Sequence, residues 1–280
     1  MITKFLFCLV ALLPMTAAAA DAPRRIVSIN LCADELLLTL ADPGQIAALS
    51  IYATDPVMSF TADMARGFRH DVAEAEQVVD LDPDLILAGR FTKRATREML
   101  IRLGYRVELL DAVRSVNDSV AQIRRIATMV GHAERGEMLV AAIEDARRRA
   151  GAATATANPK PTAAVYQRRG YVSGGDTLTG ELLSIAGFAN AGGALAGASG
   201  GFVALETIVA DPPDFIVVSA TERPAEDQGS ALLAHPALAE MFPPHRRIVL
   251  PERLTVCGGP SLPAALDQLA AEARRLRQAP

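Results

Sequence analysis

Two stretches of this chain match without a gap. Glu76-Gln-Val-Val-Asp-Leu-Asp-Pro-Asp84-Leu-Ile-Leu-Ala88 lies 130 residues before Glu206-Thr-Ile-Val-Ala-Asp-Pro-Pro-Asp214-Phe-Ile-Val-Val218. In each, a Glu opens a short helix and a Pro-Asp stops it, because proline cannot continue a helix. An unbroken apolar run follows, Leu85–Ala88 in one copy and Phe215–Val218 in the other. Such runs belong to parallel strands buried on both faces. A weaker echo pairs Glu35-Leu-Leu with Glu181-Leu-Leu, in the same order along the chain. A chain that repeats its helix–strand units in order is expected to fold as two lobes of similar topology.

The intervening segments fill in an α/β pattern. Strands are expected at Arg25–Ile29, Ile46–Ser50, Arg106–Leu110, Thr162–Tyr166 and Arg247–Leu250. Helices are expected at Cys32–Leu40, Thr92–Leu103, Thr179–Ala186 and Leu262–Arg277. Alternating strands and helices imply parallel sheets covered on both faces. The apolar periodicity of residues 115–151 predicts one long rigid connecting helix that runs through Gly131 and Gly136. The expected layout is an N-terminal lobe over 22–114, that helix, and a C-terminal lobe over 160–280, with a cleft between the lobes.

Residues 1–20 read as a cleaved signal peptide: Lys4, an apolar run from Phe5 to Leu13, then small residues before Asp21. Cys8 lies inside the apolar run and not at the cleavage point, so an exported, soluble chain without a lipid anchor is expected. The net charge of −4 excludes a strongly basic nucleic-acid binder. His70, His132, His235 and His245 lack metal-ligand spacing, and no phosphate-cradling glycine motif is present. Neither an intrinsic cofactor nor a resident metal is expected. Cys32 and Cys257 leave three readings open: a disulfide, soft contacts to a bound chelate, or two unrelated small residues.

Gly197-Ala198-Ser199-Gly200-Gly201 matches the nucleophile elbow of serine hydrolases. That elbow needs a strand before the serine and a helix after it, whereas a Gly/Ala-rich stretch precedes Ser199. A secreted esterase using Ser199 is therefore the enzyme alternative to a binding protein that is not an enzyme. In open α/β sheets ligands sit beyond the carboxyl ends of the strands. This rule nominates Asn30, Leu31, Cys32, Tyr52, Arg90, Phe91, Arg168, Arg169, Tyr171, Arg253 and Cys257, and Tyr166, the last residue of its expected strand, joins them as a candidate ligating phenol with Tyr52 and Tyr171. Aromatic faces suit a flat macrocycle, and arginine forks suit carboxylate, phosphate or hydroxamate oxygens.

Taken together, Arg25-Ile-Val-Ser-Ile-Asn-Leu-Cys-Ala-Asp-Glu35-Leu, the two Glu…Pro-Asp units and the long joining segment resemble the iron-chelate and cobalamin class of periplasmic substrate-binding proteins. The resemblance implies two α/β lobes joined by one helix. It also implies a monomer that delivers a ferric siderophore, haem or a corrinoid to the membrane permease subunits of an ABC importer. One surface Glu per lobe docks on the permease in that class, and the matching positions are Glu76 and Glu206. Tyr52 matches an aromatic contact position of cobalamin-binding members, although the chain has no Trp to lay against a corrin. A haem carrier with one Tyr on the iron (Tyr52, Tyr166 or Tyr171) and a ligand-binding sensor without transport are the other binding alternatives.

Overall fold

The computed structural model describes residues 22–154, 159–219 and 235–278. The expected signal peptide lies outside the described residues. The first sheet contains β1 (Ile26–Ser28), β2 (Ile46–Ala48), β3 (Leu85–Gly89) and β4 (Val107–Leu110), all parallel, in the order β2-β1-β3-β4. The second contains β5 (Thr162–Val165), β7 (Ala189–Asn190), β9 (Phe215–Val218) and β10 (Arg247–Val249), also parallel, in the order β7-β5-β9-β10. The two orders correspond strand for strand. A two-stranded antiparallel ribbon, β6 (Tyr171–Val172) with β8 (Gly201–Phe202), sits beside the end of β5.

The Pro-Asp of each repeat has the same structural use in both lobes. The Asp84 carboxylate accepts from the backbone N–H groups of Arg24 and Arg25 at 2.6 and 3.0 Å, ahead of β1. The Asp214 carboxylate accepts from the N–H and hydroxyl of Thr162, both at 2.8 Å, at the head of β5. Each aspartate thus sets the register of the strand beside its own by satisfying donors that no ladder reaches.

Helices α1 (Leu31–Leu40), α2 (Ala62–Ala65), α3 (Ala75–Val79) and α4 (Arg94–Arg102) belong to the first sheet. Those of the second are α7 (Leu178–Ile185), α8 (Gly192–Ala196), α9 (Leu205–Ala210), α10 (Pro236–Met241) and α11 (Leu262–Gln278). Strand alternation divides the core. On one face Val27, Ile86 and Ala88 pack with Val78 and Leu100 under α3 and α4. On the outer face of the second sheet Ala164, Tyr166 and Ile216 pack with Ile208, Leu238 and Phe242 under α9 and α10. The two remaining faces share one cluster: Ile26, Leu36, Leu85 and Leu87 are continuous with Val165, Leu182, Val217 and Leu266.

The expected single helix over 115–151 is two helices, α5 (Val116–Met129) and α6 (Ala133–Thr154). Gly131 makes the break. It adopts φ +88°, its N–H bonds to Thr128 O at 3.2 Å, and the His132 N–H bonds to Ala127 O at 2.8 Å. This 6→1 and 5→2 pair is the Schellman closure that a left-handed glycine permits. The helices then pack on each other, and a Cβ at Gly136 would lie 2.5 Å from the Ala127 Cβ. The apolar periodicity was correct for each half but carried no sign of the reversal. The bridge is α6 alone, which packs on α1 and α5 on one side and on α7 and α11 on the other. Its Arg149 fork holds Asp267 of α11 at 2.8 Å.

Candidate functional site: a crevice between two sheet edges

Every β-strand of both sheets runs parallel, so each sheet presents one carboxyl edge. Between these edges lies a crevice of about 150 Å³, lined by Asn30, Cys32, Arg90 and Phe91 from the first lobe and by Leu178, Val256 and Cys257 from the second. A second crevice of about 110 Å³ lies at the ends of β5, β9 and β10, lined by Gln167, Arg168, Val217 and Glu252. The two share Thr255. Five of the nominated residues therefore line one crevice, and Arg168 lines its neighbour.

Their individual roles differ from the expectation of free ligand contacts. Asn30 caps α1: its Oδ1 accepts from the Cys32 and Ala33 N–H groups at 3.1 and 3.2 Å. Such a cap contributes about 1 kcal/mol. Leu31 is buried. The Arg90 fork is already engaged, with Nε 2.8 Å from Asp111 Oδ1 and Nη2 on the same oxygen. Asp111 itself follows β4, so the strand-end rule applied to that strand would have revealed the pair. Phe91 is 86% exposed and offers its ring freely.

Tyr166 contradicts its nomination. It is fully buried in the outer core with Ala164 and Phe242, because the alternation that turns Val165 toward the shared cluster turns Tyr166 away. Among the described residues its hydroxyl has no hydrogen-bond partner, and burial, with Glu206 a lesser influence, raises its pKa above the usual phenol value. Tyr171 lies on the ribbon, its hydroxyl donating to Ser199 O at 3.1 Å and its ring edge-on to Phe202 at 5.5 Å. Phe202, which sequence reasoning missed, is 74% exposed. Arg169 is exposed in a left-handed turn at φ +61°, and Arg253 is exposed in the turn Glu252–Leu254. Tyr52 is half exposed on the loop after β2. None of Tyr52, Tyr171, Arg169 and Arg253 lines the two crevices.

Ser199 lies in a turn between α8 and β8, so the helix precedes it and the strand follows. This is the reverse of the hydrolase elbow, and the esterase alternative loses its geometric basis. Cys32 and Cys257 form a disulfide with Cα atoms 5.3 Å apart, which resolves the three readings in favour of the bond.

Directly behind Cys32, α1 carries two adjacent buried carboxylates. Asp34 accepts from the Ser50 N–H at 3.1 Å and the Ser50 hydroxyl at 2.5 Å. Glu35 accepts from the Phe60 N–H at 2.8 Å. Together they hold both ends of the loop that carries Tyr52. Burial pushes each carboxyl up to about 7. Glu76 and Glu206 occupy the first turns of α3 and α9, exposed, with no side-chain hydrogen bond or ion pair among the described residues.

No described helix is long and apolar enough to cross a membrane. Among solved structures, the fold is similar to the periplasmic haem-binding protein RhuT from Roseiflexus sp. RS-1 in its apo form, with a TM-score of 0.75 at 22% identity, covering 91% of this chain and 99% of that one. It is also similar to the periplasmic vitamin B12 binding protein BtuF of Vibrio cholerae, with a TM-score of 0.67 at 17% identity, covering 92% and 99% of the two chains. A cobalamin-binding protein of Halobacterium salinarum is 26% identical over 222 residues, which are 78% of this chain and 60% of that relative. The chain thus spans about 60% of the length of the curated relatives it matches. The sequence profile of the periplasmic binding protein family matches residues 26–243, and the chain belongs to that family.

Proposed function

We propose that this protein is an exported, soluble, monomeric solute-binding protein that carries a metal chelate to the permease subunits of an ABC importer. The chelate class is haem, a corrinoid or a ferric siderophore. The observation that carries this reading is the crevice at the facing carboxyl edges of two parallel sheets, with the exposed ring of Phe91 on its wall. Tyr52, on a loop of the first lobe, and Phe202, on the ribbon of the second, add exposed rings, and Arg169 and Arg253 add cations on the second lobe. Flat apolar rings beside guanidinium groups suit a macrocycle or catecholate that bears acidic substituents. The solved structures named for haem and vitamin B12 and the cobalamin-binding relative support the same ligand class.

Mass spectrometry of gently purified native protein tests the reading, followed by calorimetric titration with haemin, cyanocobalamin and a ferric catecholate. Binding of at least one is expected. A haem complex gives a Soret band that Tyr52→Phe abolishes if that phenol ligates iron. Absence of binding to all three overturns the ligand class.

Glu76 and Glu206 are the proposed permease contacts. Their matched places in the repeat and their exposed, uncommitted carboxylates support this role. Glu76→Arg and Glu206→Arg are each expected to lower stimulated ATP hydrolysis by the partner importer at unchanged ligand affinity. Losing one member of a desolvated charge pair costs about 2–5 kcal/mol. Full stimulation by both variants overturns the role.

A further inference from the structure

The strand-end loop of the second lobe does more than line the crevice, because it is inserted against the first lobe. A Cβ at Gly258 would lie 2.6 Å from Cγ1 of Val113 in the first lobe and 3.3 Å from Cδ2 of Leu178 in its own, so the absence of a side chain there permits the close approach to the first lobe. A Cβ at Gly259 would lie 3.5 Å from Leu36 Cδ2 of α1. Cys257, between Val256 and these glycines, is bonded to Cys32 in the first turn of α1. Both cysteines line the crevice. Their exposures differ: Cys257 is buried at 2%, whereas Cys32 is half-buried. The covalent bond therefore joins the lobes at the crevice itself, between a half-buried Cys32 and a buried Cys257.

We propose that the Cys32–Cys257 disulfide is a redox-operated lock on the crevice. Oxidised, it seats the segment from Thr255 to Gly259 as a wall of the ligand-competent shape. Reduction releases that wall and lowers ligand affinity. This inference rests on the binding role proposed above and names the regulation of the same site.

The chemistry is thiol–disulfide exchange with a dithiol. A thiolate of the reductant attacks the sulfur of Cys32, the less buried residue of the pair, the S–S bond breaks, and Cys257 leaves with the electron pair and takes up a proton. The second thiol of the reductant then attacks the mixed disulfide and forms its own intramolecular disulfide. Cys32 is released as a thiolate in the first turn of the ten-residue α1, where the helix N-terminus favours that anion. Two electrons pass from the dithiol to the protein, and the two protein sulfurs end as thiols or thiolate. Both cysteines line the crevice, so a ligand seated there covers the bond, and occupancy and reduction oppose each other.

The test is calorimetric titration of the whole protein with haemin and cyanocobalamin, oxidised and after reduction by dithiothreitol, with folding followed by circular dichroism. Affinity for the probe that binds is expected to fall at least tenfold on reduction and to recover on reoxidation. Saturating probe is expected to slow reduction at least fivefold. Affinities that agree within twofold between the two redox states overturn the lock. The double variant Cys32→Ala, Cys257→Ala is expected to bind weakly with or without reductant. If that variant does not fold, the reduced natural protein decides. If neither probe binds either form, the tetrapyrrole reading fails and the lock is judged by hydrogen exchange at residues 255–259. Exchange at least tenfold faster after reduction supports it, and unchanged exchange overturns it.

Discussion

At the scale of single residues, Asp34 and Glu35 make the fold sensitive to pH. Each carboxyl is raised from near 4 to about 7 by burial, so between those values the folded chain holds protons that the unfolded chain has released. The stability this supplies is full in acid and is lost as pH rises from about 4 to about 7. Among the described residues Glu35 Oε2 has no partner, and the hydroxyls of Ser59 and Thr61, either side of Phe60, are also buried without one. A neutral amide keeps the acceptor for Phe60 and removes the charge. Glu35→Gln is therefore expected to raise unfolding free energy by about 1–3 kcal/mol at pH 8 and to change little at pH 4, measured by urea denaturation. Tyr166→Phe removes a hydroxyl that no group among the described residues satisfies, and is expected to leave ligand binding intact with an unchanged or higher melting temperature. Loss of binding in that variant would restore Tyr166 to the site.

At the scale of elements, the fold was legible wherever a local pattern decided it. The Pro-Asp stops and the apolar runs after them followed from residue type. What was not legible depended on three-dimensional juxtaposition. Gly131 looked like a weak point in one helix, yet a glycine in the left-handed region reverses the chain when the helix behind it has a partner to return to. Gly136 looked equally incidental, and it is where α6 meets Ala127 of α5. The strand-end rule found the crevice, but strand parity removed Tyr166 from it and Asp111 occupied the Arg90 fork. Gly131→Ala is expected to cost about 1–2 kcal/mol, because the left-handed region penalises a Cβ and Ala22 Cβ lies 2.9 Å away. Gly136→Val overpacks the α5–α6 crossing and is expected to cost about 1–3 kcal/mol in chemical denaturation.

At the scale of the whole molecule, the two lobes are not independent bodies. They share one apolar cluster, the Glu181 carboxylate of α7 accepts from the Val116 N–H at the start of α5 at 2.6 Å, and the disulfide spans a sequence separation of 225 residues. Heat or urea is expected to unfold them in a single cooperative transition, with coincident circular dichroism and calorimetric curves. Two resolved transitions would contradict this. In the chain-entropy view a cross-link closing so long a loop stabilises by up to about 5 kcal/mol, so dithiothreitol should lower the midpoint clearly. Small-angle scattering is expected to show little contraction on ligand binding. The same interlocking orders events in time. Leu36 and Leu37, near the start of the chain, share their core with Leu262, Leu266 and Leu269 near its end. A first lobe without α11 therefore lacks part of its interior. Until that helix is present, the chain is expected to remain an unfinished, threadable polymer.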